Sequence, residues 1–344
     1  MKKEISGFQL GVTFAGCFLG AGYVSGKETW QFFGRYGSWG WTGLFMALFG
    51  LGAFGAITFF LVQNTGDERL EDLIIPWDIP FLKRIVSLFS VIFLFGIVSI
   101  MTAGTGALFQ QIFEIPHFAG SLLFAAAITF FTLTGKEGMV AVFSVIVPFL
   151  TIAAVLICML ALAILPPSEV ELTSRGFEWV FSSITFAAYN MFSTIAILAP
   201  LGKIVKRKSI FPGISVGAGI LLLIAGLILL VLERNPEAIM EELPMLSVVF
   251  QISKYVGWLF GLLLLLAMFG TGFSCFLTAV NQVIEQFPAA GEKRILSIFV
   301  LAALSFLASM CGFGDLISII YPVFGFCSFL FLICMIVHFI QQLL

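Results

Sequence analysis

The sequence predicts an all-helical polytopic membrane protein: about ten transmembrane helices in a five-plus-five inverted repeat, with helices one and six broken. Three observations predict it. The 344 residues are 60% hydrophobic and 10% charged, with 41 Phe, whereas a soluble domain carries about 25% charged residues. The apolar residues gather into runs of the length a bilayer demands of a helix, about 20 residues. Short strings in the first half also recur, in order, in the second.

Charge clusters and Pro/Gly turns divide the chain into spans at 8–35, 40–63, 84–113, 117–134, 138–165, 178–201, 209–232, 255–287, 293–311 and 315–340. Gly34-Arg35-Tyr36-Gly37 separates spans one and two, and Gly66-Asp67-Glu68-Arg69 with Pro76 and Pro80 separates two and three. Glu114-Ile115-Pro116 ends span three, Gly135-Lys136-Glu137-Gly138 ends span four, and Pro166-Pro167 ends span five. Pro200 and Lys203 close span six, and Glu233-Arg234-Asn235-Pro236 closes span seven. Pro288 closes span eight, and Gly312 parts nine from ten. Residues 243–253 are apolar but too short to cross, and are expected to lie along the surface before span eight.

With the amino terminus inside, twelve of the 17 Lys and Arg fall on the cytoplasmic side, Lys203, Lys206, Arg207 and Lys208 among them. By the positive-inside rule both termini are expected to be cytoplasmic, in a multi-pass membrane protein. Met1-Lys2-Lys3-Glu4 leads into an apolar run without a small-residue cleavage site, so the first helix is expected to be retained. The chain reads as a single membrane domain, 1–344, with repeats at 1–170 and 171–344.

The remaining composition narrows the function classes. A net charge of −2 gives no footing for nucleic acid. Cys17, Cys158, Cys275, Cys311, Cys327 and Cys334 lie in apolar runs without C-x-x-C spacing, as packing residues do. His117 and His338 lie far apart, and no HExxH, Ser-His-Asp set or paired carboxylates occur, so an enzyme is not expected. Cofactors are expected to be none beyond a coupling ion; the partners are a small-molecule solute and the lipid bilayer.

The repeat is read from three agreements of order and spacing. Met101-Thr102-Ala103-Gly104-Thr105-Gly106 in span three matches Met268-Phe269-Gly270-Thr271-Gly272 in span eight, an offset of 166 residues from Gly104 to Gly270. Gln111 to Pro116 matches Gln282 to Pro288, and Ser144 to Pro148 matches Ser318 to Pro322. Five is odd, so the second copy enters from the opposite side and the repeat is inverted.

Span one carries Gly20-Ala21-Gly22-Tyr23-Val24-Ser25-Gly26-Lys27-Glu28. It fails the P-loop spacing, because Ala21 stands where the first glycine belongs, and fails G-x-G-x-x-G because Ser25 stands in place of the third. Three glycines and a serine in seven residues mark a helix break, at about 1 kcal/mol per glycine. Ser25-x-x-Glu28 has capping-box spacing for a fresh helix at Gly26. In span six, Ala187-Ala188-Tyr189-Asn190 is the equivalent weak point. Freed backbone in a membrane survives only where it lines a cavity or finds partners. Two facing breaks, at 20–25 and 187–192, would form a solute site. Its substrate-contact candidates are Gly20, Ala21, Gly22, Tyr23, Ser25, Gly26, Thr102, Thr105, Tyr189 and Asn190. Thr102 and Thr105 have the competing role of bonding back to their own helix. Glu28, ionisable within a span, is either the partner of Ser25 or a carrier of the coupling proton, since burial disfavours the charged form of a carboxylate.

This architecture resembles the LeuT-type fold of the amino acid–polyamine–organocation (APC) superfamily. GAGYVSGKETWQFF, from Gly20 to Phe33, resembles the opening motif of the YkvI-like bacterial membrane proteins, with Val24 and Lys27 at positions expected to hold more variable small or polar residues. The architectural resemblance spans the chain; the motif covers about fifteen residues. It implies transport at the superfamily level, without naming the substrate, in a bacterial cytoplasmic membrane. The reading adopted is a secondary active transporter of a small solute, an amino acid or related nitrogenous compound, driven by Na⁺ or H⁺. The resemblance also implies a sodium site at the carbonyls near Gly20 and Tyr23 with the hydroxyls of Thr271 and Ser274. The alternatives are a ligand sensor of the germinant-receptor type, without net transport, and a channel.

Overall fold

The computed structural model describes residues 6–134, 139–166, 176–287 and 291–344, without the side chains of 134–148. The predicted boundary between repeats at 170/171 and the charges at Lys2, Lys3, Lys136 and Arg175 lie outside the described residues, as do Pro288 and the side chains of Ser144 and Pro148.

Every element among the described residues is helical. Span one is α1 (Gly7–Phe18), α2 (Ala21–Val24) and α3 (Lys27–Phe32). Spans two to five are α4 (Ser38–Thr65), α6 (Pro80–Phe113), α7 (His117–Thr134) and α8 (Met139–Ile164), with the short α5 (Leu70–Ile74) between α4 and α6. Spans six and seven are α9 (Glu178–Leu198) and α10 (Arg207–Glu233). The short α11 (Pro236–Ile239) and α12 (Pro244–Ile252) lead to α13 (Lys254–Gln286), α14 (Arg294–Ser309) and α15 (Phe313–Gln341), which are spans eight to ten. Six of these helices are long and apolar enough to cross a membrane, and four shorter apolar helices complete the predicted spans.

The packing follows the inverted repeat. Span one lies against span seven (α1 on α10), and span six lies against span two (α9 on α4). Span three meets span ten as span eight meets span five, and spans three and eight pack on each other. One relation is unequal: α9 packs along α15, and among the described residues no comparable contact joins α1 to α8.

Span one breaks where its glycines stand. The chain leaves α1 at Leu19, runs extended through Gly20 (φ −82°, ψ 172°), then turns again at Gly26, whose φ of 83° is left-handed. A side chain at Gly26 would also press on Leu232 and Met245. Glycine alone meets both demands.

Three expectations are corrected. The stretch 187–192 is not unwound: α9 runs through it. Asn190 Nδ2 donates to the Phe186 carbonyl at 3.1 Å and Ser193 Oγ donates to the Asn190 carbonyl at 2.8 Å, so these polar groups are satisfied on their own helix. Alanines rather than glycines precede them. This part of α9 is buried, with Tyr189 3% and Asn190 8% exposed. Second, the Ser25–Glu28 capping box does not form. The left-handed Gly26 is the N-cap of α3, and Ser25 Oγ turns back to donate to the Gly22 carbonyl at 3.0 Å. Third, 243–253 does not lie on the surface. Pro244, Met245, Leu246, Val248 and Val249 of α12 are buried, and the Met245 N–H donates to the Ser25 carbonyl at 2.8 Å. The segment before α13 therefore supplies one of the partners that the break requires.

Candidate functional site: a cavity at the break of span one

Behind the break lies a cavity of about 280 Å³. Its walls are the end of α1 from Gly16 to Gly20, Gly22 and Glu28, with Phe93, Ile97 and Met101 of α6. Tyr189, Asn190, Ser193 and Ile197 come from α9; Gly270, Thr271, Ser274 and Cys275 from α13; Tyr321 from α15. The α1 and α9 wall residues run from the break toward the ends predicted to be cytoplasmic. The opposite end is closed by aromatic packing: Tyr189 stacks on Tyr321 at 4.4 Å between centroids, and Phe32 packs on Tyr189 at 5.6 Å.

Glu28 is 5% exposed and accepts a hydrogen bond from the Tyr189 hydroxyl, which joins α3 to the unbroken α9. A second link is Ser182 of α9, whose Oγ donates to the Phe32 carbonyl at 2.8 Å. Lys27, beside Glu28 in sequence, turns the other way: its Nζ donates to the Glu241 carbonyl at 2.8 Å. Glu242 accepts from the Gly314 N–H at the start of α15, at 2.5 Å. Lys27, the α11–α12 loop and α15 thus form a charged clasp above the aromatic closure.

The structure gathers Gly20, Gly22, Glu28, Tyr189, Asn190, Thr271 and Ser274 around one cavity and leaves the other candidates outside it. Ala21 is fully buried. The Tyr23 hydroxyl donates to the Leu221 carbonyl of α10 at 2.9 Å. The Tyr23 carbonyl accepts from the Gly26 N–H at 3.2 Å and from Thr29 Oγ1 at 3.4 Å. Ser25 and Gly26 shape the turn. Thr102 and Thr105 bond back to the carbonyls of Val98 and Met101, at 2.7 and 3.0 Å. Of the four expected sodium donors, Gly20, Thr271 and Ser274 share the cavity and Tyr23 does not. These oxygens are the hard donors that an alkali cation accepts.

Sequence reasoning missed Cys17, Phe93, Met101, Ser193, Cys275 and Tyr321. A signal existed for Tyr321, which directly precedes the Pro322 matched in the repeat. Apolar wall residues look the same in sequence as lipid-facing ones.

No known family model matches the chain. It is 26% identical over 347 residues to the uncharacterized membrane protein YkvI of Bacillus subtilis (strain 168), covering 96% of this chain and 95% of that one. Among solved structures, Mhp1 in its inward-facing conformation matches with a TM-score of 0.63 at 14% identity, over 95% of this chain and 74% of that one. MhsT, solved in complex with L-phenylalanine, matches with a TM-score of 0.61 at 16% identity, over 96% and 89%. The fold is of the LeuT type.

Proposed function

We propose that this chain is a secondary active transporter that carries a small nitrogenous solute, an amino acid or a related compound, across the bacterial cytoplasmic membrane, with both termini cytoplasmic. The observation that carries the reading is the cavity itself. It is built at a glycine break, holds a buried carboxyl, and is closed toward one face by Phe32, Tyr189 and Tyr321. Solute bound there is reached from one side at a time. Exchange of access requires span one, held to α9 through Glu28 and Ser182, to rock against the rest. Support comes from the neighbours' names: one is solved with L-phenylalanine, and the other is a nucleobase-cation-symport-1 family transporter.

The driving ion is Na⁺ or H⁺. Thr271 and Ser274 would contribute to a sodium site, and Glu28 would carry a proton. Purified protein in proteoliposomes should accumulate a labelled solute from an amino acid and amine panel under an imposed sodium or proton gradient. Thr271→Ala and Ser274→Ala should raise the sodium requirement if sodium drives uptake, and an unchanged requirement removes both residues. Binding without accumulation under either gradient overturns transport in favour of the sensor, and equilibration without accumulation favours a channel.

A further inference from the structure

The cavity has an unbalanced charge inventory. Glu28 lines it, and among the described residues no Lys, Arg, His or second acidic side chain does. The nearest cations in sequence are engaged elsewhere, Lys27 on the Glu241 carbonyl and Arg35 on the Tyr36 hydroxyl at 2.6 Å. The titratable groups facing Glu28 are Tyr23 from its own span, Tyr189 from α9 and Tyr321 from α15. Cys17 of α1 and Cys275 of α13 share the cavity wall. All of these are neutral at physiological pH in their ordinary state. A carboxyl enclosed in this way must hold a proton or a cation, because an isolated buried charge is too costly. Tyr189, Tyr321, Phe18 and Phe93 supply the aromatic faces that a cation also favours.

Resting on the reading of this cavity as the solute site, we propose that Glu28 is a shared seat, occupied in turn by one proton and by the ammonium group of a cationic solute. The solute is an amine with a net positive charge rather than a zwitterion, since the cavity offers no side-chain cation to a second, anionic end. The step balances: protonated Glu28 and an ammonium ion give the ion pair and one proton released to water. One proton therefore exchanges for one monovalent solute, and the exchange is electroneutral.

Three probes of similar shape separate the charge classes: 2-phenylethylamine, L-phenylalanine and 3-phenylpropanoate, with methylamine and choline added to vary size. In lightly buffered detergent, binding of an ammonium probe should release up to one proton per molecule. Its affinity should fall about tenfold for each pH unit of acidification once the proton is the preferred occupant. Glu28→Gln, which keeps an acceptor for the Tyr189 hydroxyl, should abolish both the release and the pH slope. If that variant does not fold, the wild-type comparison of the cationic, zwitterionic and anionic probes decides alone. No proton release with any ammonium probe, or tighter binding of the zwitterion or anion, overturns the proposal. Proton-linked amine binding without uptake into proteoliposomes overturns the transporter reading and leaves the shared seat standing. Uptake of a zwitterion without amine binding does the reverse.

Discussion

Span one and span six hold equivalent places in the inverted repeat, yet span one is broken twice and α9 is continuous. The difference lies in who satisfies the backbone. In span one, the chain steps out through extended backbone at Gly20, a conformation open to any residue, and a glycine allows the left-handed turn at Gly26. A distant segment then meets the freed carbonyl of Ser25 through the Met245 N–H. In α9, Asn190 and Ser193 satisfy their own helix. A break in the membrane thus requires both a residue that can turn and a partner that arrives from elsewhere. The pair divides the work: the broken span supplies Glu28, and the rigid one supplies Tyr189, Ser182 and a fixed wall.

That contrast can be broken experimentally. The largest effect is expected from Gly26→Val, where a β-branched residue must take a left-handed backbone against Leu232 and Met245. It should cost about 2–5 kcal/mol from strain and overpacking together, seen as loss of folded protein in detergent melting or graded SDS unfolding. Next is Tyr189→Phe, which removes the hydroxyl from a buried carboxyl. A loss of about 1.5–3 kcal/mol in the same assay is expected, and Phe at that position keeps the packing on Tyr321. Ser182→Ala should cost about 1 kcal/mol by leaving the Phe32 carbonyl without its donor. The smallest effect belongs to Ala188→Gly, a helix-propensity loss of about 1 kcal/mol or less. If α9 were a broken helix at this position, that substitution would be neutral or stabilising, and the contrast with span one would fail.

The bilayer makes much of this fold legible in the sequence. Span limits fall within a few residues of the helices because every crossing must be apolar and every turn is marked by charge, Pro or Gly. The glycine cluster of span one is an ambiguous signal. Gly213 to Gly219 also carries three glycines and a serine in seven residues yet lies within the continuous α10, where two of these glycines serve close packing on α1. Asn190 misleads because a polar side chain in a helix reads the same whether it frees the backbone or bonds back to it. The capping spacing of Ser25 and Glu28 misleads because a left-handed Gly26 intervenes and reorients the serine hydroxyl. The burial of α12 is hidden because its partner, the Ser25 carbonyl, is far away in sequence. The apolar wall residues are invisible for a simpler reason: a helix that is apolar all round does not show which side faces a cavity.

The bond from Met245 to Ser25 has one more consequence. The segment from Pro236 to Ile252 is stitched to the half of span one that carries Glu28, and Lys27 reinforces the seam at Glu241. Any rearrangement that uncovers the cavity from that face has to carry this strap along or unpick it. Met240 within the strap, 86% exposed, and Tyr255 just after it, 88% exposed, offer handles on its surface. On the transporter reading, an antibody fragment gripping them would hold this strap, and with it the closure over the cavity, in place.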